Sequence, residues 1–113
     1  MLQQFTIENF LSFKDREVFK LQPGKGSRNK MHKVEPVKGQ WILKSAALFG
    51  PNAGGKSNFV EALELGKRLV LLGTRAETLI EYHPFRLSSE CKNKDTTITY
   101  QILCNNKKYE YGF

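Results

Sequence analysis

Residues 50–57 read Gly50-Pro51-Asn52-Ala53-Gly54-Gly55-Lys56-Ser57 and fit the spacing G-x-x-x-x-G-K-[ST]. Each fixed position suits the binding of a phosphate chain. Gly50 and Gly55 are expected to let the backbone bend back and approach an anion with no Cβ in the way. Successive backbone N–H groups, including those of Asn52, Ala53 and Gly54, can then point inward and form a nest. Lys56 has the reach to touch the β- and γ-phosphates of a nucleotide. The Ser57 hydroxyl has the chemistry to bind Mg²⁺. The cofactors this pattern implies are ATP and Mg²⁺.

Such a loop works only between a strand that aims it and a helix that opens behind it. Upstream, Trp41 to Phe49 ends in the continuously apolar run Ala46-Ala47-Leu48-Phe49, which predicts a strand buried on both faces of a sheet. Downstream, Phe59, Ala62, Leu63, Gly66 and Val70 recur at helical spacing, predicting a helix from Lys56 to Leu72 with Gly73 as its stop. The free N–H groups and positive dipole end of that helix would add to the nest.

Around this unit, Leu2 to Phe10 alternates as a strand, with Phe5 and Ile7 on one side and Gln4, Thr6 and Glu8 on the other. Asn9 to Asp15 is a turn, and Glu17 to Leu21 predicts a second strand able to pair with the first. Residues 22–39 hold Lys25, Arg28, Lys30, Lys33 and Lys38 against Glu35, with two prolines and three glycines, and read as a long basic loop. Pro84 to Leu87 suits a short edge segment. Thr96 to Cys104 and Lys107 to Phe113 read as a hairpin turning at Asn105-Asn106, because Asn tolerates positive φ.

The chain has 113 residues, enough for one domain spanning 1–113, and its 40% hydrophobic and 26% charged residues are a globular composition. The net charge of +7 suggests an anionic partner: nucleotide, nucleic acid or a membrane surface. Cys91 and Cys104 lack metal-ligand spacing and are expected to be free thiols in a reducing cytoplasm. No apolar run approaches the roughly 20 residues of a membrane span, so no membrane partner is expected. The start of the chain does not read as a signal peptide.

The sequence resembles the N-terminal part of ABC-type ATPase heads, the SMC, RecF and OLD-like group. Within it the chain is most similar to bacterial AAA-named ATPases of phage-defence and abortive-infection systems. The resemblance rests on Phe5-Thr6-Ile7-Glu8-Asn9-Phe10 with Ser12-Phe13, on Leu48 through Asn58 as the Walker A region, and on Phe59-Val60-Glu61-Ala62-Leu63. Pro84-Phe85-Arg86-Leu87 and Tyr109-Glu110-Tyr111-Gly112-Phe113 complete it. It implies an α/β P-loop NTPase fold: the N-terminal lobe of a head with a mixed sheet, one long helix and an antiparallel side hairpin. It implies that Asn58 joins the nucleotide-binding residues, and that the remainder of the head and a second head are partners. Leu11 stands where family members often carry Arg. The Walker B strand ending in Asp and Glu has no counterpart; Leu79-Ile80-Glu81 is too short. Leu87-Ser88-Ser89-Glu90 lacks the glycines of a signature loop. The chain is therefore expected to be the first lobe of a longer ATPase or a truncated reading frame, with its catalytic residues unknown.

Two other functions fit the composition. A basic nucleic-acid-binding module would use residues 22–39, and a non-catalytic fragment would act through partner contacts alone. Guanine recognition is disfavoured, since Asn29-Lys30-Met31-His32 lacks the Asp of the guanine-reading run. His32 and His83 are isolated and read as surface or capping groups. Trp41 reads as packing, with adenine stacking as the alternative. Tyr82, Tyr100, Tyr109 and Tyr111 read as sheet packing rather than a base-stacking platform.

Overall fold

The computed structural model describes residues 1–25, 29–73, 79–80 and 83–113. Arg28, Glu81 and Tyr82 lie outside them. In chain order the elements are β1 (Leu2–Glu8), β2 (Glu17–Lys20), β3 (Lys33–Val37), β4 (Gln40–Leu43), α1 (Lys56–Leu72), β5 (Thr97–Cys104) and β6 (Lys107–Gly112). Single 3-10 turns occupy Lys30–His32 and Glu90–Asn93.

The alternation of Phe5 and Ile7 with polar neighbours sets the main sheet. Its strand order is β2-β1-β5-β6, and every neighbouring pair is antiparallel. Register places Phe5 between Phe19 and Tyr100, and Ile7 between Glu17 and Ile98. One face is therefore apolar, and α1 packs on it. Phe5, Ile7, Ile98 and Tyr100 meet Ala62 and Leu65 of the helix in one buried cluster. Phe59 stands edge-on to Phe5 at 5.5 Å and to Phe19 at 5.1 Å. Burying each such large side chain stabilises the fold by about 1.5–3 kcal/mol. The other face holds Gln4, Thr6, Thr99 and Gln101, and the Gln101 amide donates to Glu110 at 2.8 Å.

Helix α1 spans the predicted residues and stops at Gly73, whose φ of +67° suits a glycine and whose N–H caps Leu69 O at 3.1 Å. Its contact face is rotated from the predicted stripe. Leu65 is buried and Leu69 joins the core, whereas Val70 is 42% exposed. Gly66 is required by its neighbour: a Cβ there would lie 2.2 Å from the Tyr100 hydroxyl. That hydroxyl donates to Leu63 O at 2.8 Å. Desolvation pushes the Tyr100 phenol up to about 12, with a backbone hydrogen bond from Lys67 opposing the shift.

Five expectations change. Ala46 to Phe49 is not a buried strand: residues 45–50 pair with no strand among the described residues, and Phe49 is 92% exposed. An extended apolar run becomes a strand only beside a hydrogen-bonding neighbour, and both antiparallel sheets lie elsewhere. The described sheets are accordingly antiparallel throughout rather than mixed. Residues 22–39 are not one loop, because they hold a 3-10 turn and β3, which pairs antiparallel with β4 as a separate ribbon. The hairpin β5–β6 is no side sheet, since β5 pairs directly with β1. Its turn is as predicted, with Asn105 and Asn106 at φ of 49° and 62°. Pro84 to Leu87 forms no strand. No helix among the described residues is long and apolar enough to cross a membrane.

Candidate phosphate-binding loop

Three backbone features shape residues 50–57. Ala53 and Gly55 take positive φ, at 61° and 83°. The Gly54 N–H donates to Pro51 O at 3.1 Å, tightening the tip where Asn52 and Ala53 turn. The Phe59 N–H donates to Gly55 O at 3.0 Å and opens α1. The loop thus doubles back and delivers the chain directly into the helix.

Lys56 folds into the space so enclosed. Its ammonium donates to Gly50 O at 2.8 Å and to Pro51 O at 2.6 Å. Carbonyls that would otherwise repel an incoming anion are thereby turned toward a cation. At the same point the helix presents unused donors. The N–H groups of Lys56, Ser57 and Asn58 precede the first helical donor, the Phe59 N–H; Gly55 offers no side-chain cap, and no acid lies in the first turn. Ser57 is exposed beside them, and Asn58 is half-buried. A cation, free N–H groups and a hydroxyl converge on one loop, which is the donor set that a phosphate chain with Mg²⁺ requires.

The glycines do not contribute as their spacing suggests. A Cβ on Gly50 would touch only the Lys56 Cδ, at 3.9 Å, so steric need is weak there. A Cβ on Gly54 would come within 3.0 Å of Pro51 O, and one on Gly55 within 2.9 Å of Ser12 Oγ. The second contact shows that the β1–β2 turn braces the loop from behind. Phe13 of that turn stands edge-on to Phe59 of α1 at 6.4 Å.

That turn is held by Asn9, whose role the sequence did not reveal. Asn9 is fully buried at φ of 50°. Its side-chain amide donates to Cys91 O at 2.9 Å and Lys94 O at 2.6 Å, and its Oδ1 accepts from Phe85 N–H at 3.0 Å. The Thr96 hydroxyl donates to its main-chain oxygen at 2.6 Å. The side chain thus ties the end of β1 to residues 85, 91 and 94, and the main chain of the same residue ties it to Thr96. Nearby, Glu8 pairs with Lys94 at 2.5 Å; that hydrogen bond, then its Coulombic attraction, raises the Lys94 pKa. An Asn following a strand and tolerating αL was the available signal.

The remaining candidates sit apart. Trp41 lies in the β3–β4 ribbon, with Lys33 Nζ 4.8 Å from its ring centroid. His32 belongs to a 3-10 turn, and its backbone oxygen accepts from Lys44 N–H. His83 packs edge-on to Phe10 at 6.3 Å. Cys91 is buried, Cys104 is exposed, and both are free thiols. Among the described residues no group of three or more His, Cys, Asp or Glu could hold a metal ion. Comparison of the chain with family models, curated proteins and solved structures finds no match.

Proposed function

We propose that this chain binds Mg-ATP through Gly50, Asn52, Ala53, Gly54, Gly55, Lys56, Ser57 and Asn58, as the phosphate-gripping lobe of a P-loop ATPase head. The observation that carries the reading is the closure of the loop over the Lys56 ammonium at the uncapped start of α1. Lys56 and the N–H groups of the first turn would hold the phosphates. Ser57 would take the metal, which supplies charge neutralisation between the phosphates when bound. In the complete assembly, ATP hydrolysis would control an effector or DNA-linked activity of defence type in the cytoplasm. Titration calorimetry with Mg-ATP tests the proposal. Binding by the unmodified chain and its loss in Lys56→Ala is the expected result; equal heats in both would remove it.

A second reading, a non-catalytic piece that acts through partner contacts, draws on the exposed run Ala46 to Phe49. An exposed run outside both described sheets that carries apolar side chains is suited to strand addition by another polypeptide. The two readings are compatible if the partner is the remainder of the head, and a second head would then complete the nucleotide site. Failure of a folded sample to bind ATP would favour the second reading alone.

A further inference from the structure

Strand β6 is an open edge. It ends the strand order of the main sheet among the described residues, and every residue from Lys107 to Gly112 is exposed. The opposite edge, β2, is shorter, and the β3–β4 ribbon backs onto its end, where Leu43 N–H donates to Leu21 O at 2.8 Å.

The paired side of β6 fixes what its free side presents. Ile98 and Phe113 exchange both N–H···O bonds, at 3.1 and 2.9 Å, and the β5–β6 register continues without a shift to Cys104 and Lys107. Hydrogen-bonded pairs alternate along an antiparallel ladder. Lys107, Tyr109 and Tyr111 therefore turn their backbone groups toward β5, and those of Lys108, Glu110 and Gly112 point outward. The side chains alternate as well. Tyr109 stands opposite Ile102 and Tyr111 opposite Tyr100, which puts both rings on the face that α1 covers. They stay outside the buried cluster, 52% and 49% exposed, and Tyr111 is edge-on to Phe113 at 5.1 Å. Lys108 and Glu110 lie on the other face, where Gln101 donates to Glu110.

We propose that β6 pairs with β6 of a second copy of this chain, antiparallel, with the two-fold axis at Tyr109. Charge selects this register. An axis at Lys108 or at Glu110 would set like charges directly opposite, which is destabilising. With the axis at Tyr109, Lys108 meets the partner's Glu110 and Glu110 meets the partner's Lys108, both in hydrogen-bonded pairs built from the outward backbone groups. Tyr109 meets the partner's Tyr109 in the non-hydrogen-bonded pair between them, where side chains come closest. Lys107 lies opposite the partner's Tyr111, a cation beside a ring. Edge lysines ordinarily repel an added strand; in this register each has a carboxylate or a ring to meet. The loop at residues 50–57 is braced by the β1–β2 turn, at the other end of the strand order, so the contact does not use it and needs no nucleotide.

Sedimentation equilibrium of the whole chain without nucleotide, over roughly 5–500 μM, tests the pairing. The expected result is a reversible dimer. Glu110→Lys and Lys108→Glu should each weaken it by about tenfold or more, because both symmetry-related pairs turn repulsive. Lys108→Glu combined with Glu110→Lys should restore it, and an equimolar mixture of the two single variants should form a mixed dimer. Both positions are exposed, and circular dichroism should report folded variants. Tyr109→Cys in a Cys104→Ser background reads the axis without altering these charges. Mild oxidation should cross-link it between copies, and Tyr111→Cys in the same background should not cross-link. Lys56→Ala should dimerise as the unmodified chain does, whatever its affinity for ATP. A chain that stays monomeric at the highest concentration, leaving the edge to a different polypeptide, would overturn the proposal. So would a dimer indifferent to Glu110→Lys, one strengthened by Glu110→Gln, one lost in Lys56→Ala, a combined variant that stays monomeric, or cross-linking through Tyr111→Cys in place of Tyr109→Cys.

Discussion

Helix α1 lies between two regions built on opposite terms. Along its middle, Ala62, Leu65 and Gly66 press onto Phe5, Ile98 and Tyr100, and almost no solvent reaches them. At its start, residues 45–54 are exposed although Ala46 to Phe49 is as apolar as any strand in the chain. In the first region close contact satisfies side chains. In the second, backbone groups are shaped by positive φ and by one lysine, and are left open. Gly66 and Gly55 mark the contrast. One glycine makes room for a ring in the core, the other for the β1–β2 turn that braces residues 50–57.

The sharpest way to break this contrast is through catalysis. Positioning and charge stabilisation supply most of the rate in phosphoryl transfer. This chain has no Walker B run to place a carboxylate at the loop, so purified protein should release phosphate from ATP at background rate, many powers of ten below a complete ATPase. Turnover that vanishes in Lys56→Ala would mean that a carboxylate of the folded chain, such as Glu61 or Glu64 of α1, serves the loop. Lys56→Ala itself should cost Mg-ATP affinity by about 1.5–3 kcal/mol, the worth of charged hydrogen bonds, with little change in the midpoint of urea unfolding.

The two glycines come next. Gly66→Ala should destabilise by about 3 kcal/mol, despite the gain of about 1 kcal/mol in helix propensity, because the packed Tyr100 ring cannot withdraw. In a Tyr100→Leu background the same substitution should cost nothing, and denaturant titration of the four proteins decides it. Gly55→Ala should cost about 1–3 kcal/mol through its left-handed backbone. It should weaken Mg-ATP binding, which Gly66→Ala in the relieved background should not.

Tyr100→Phe is a smaller change, about 1 kcal/mol at neutral pH for one hydrogen bond. Its pH signature is more telling. The phenol ionises at its ordinary value of 10.0 when unfolded and at about 12 when folded. The unfolded chain therefore loses its proton first, so this contribution is intact below pH 10 and declines as pH rises toward 12. The Phe variant should lack that component of the alkaline decline. Smallest of all, Phe49→Ser should shift stability by no more than about 0.5 kcal/mol, as expected of an exposed site. A larger loss would show that residues 45–50 pack in solution.

What could be read from the sequence divides along the same line. Helix α1, β1, β2 and the Asn105-Asn106 hairpin follow from periodicity and turn chemistry, which are local. The motif of residues 50–57 was legible in the sequence, yet its tightest glycine contacts depend on Ser12 and Pro51, and the first is far away in sequence. Ala46 to Phe49 misled because apolar composition reports a need for cover and says nothing about whether a neighbouring strand is present. Asn9 was hidden for a related reason: its partners at residues 85, 91 and 94 become visible only when the chain closes on itself.

The hydrogen bonds from Lys56 to Gly50 and Pro51 carry a consequence for rates. A loop already closed on its own lysine has little left to fold when an anion arrives. The ordering entropy is spent during folding of the protein, so it does not slow or weaken each encounter. Association should then be governed by diffusion and by the field of the cation, while dissociation is governed by how readily the two carbonyls reclaim the ammonium. On the proposed function, the Gly50 and Pro51 carbonyls stand in for phosphate oxygens, and nucleotide exchange would be a competition between two sets of oxygens for one nitrogen.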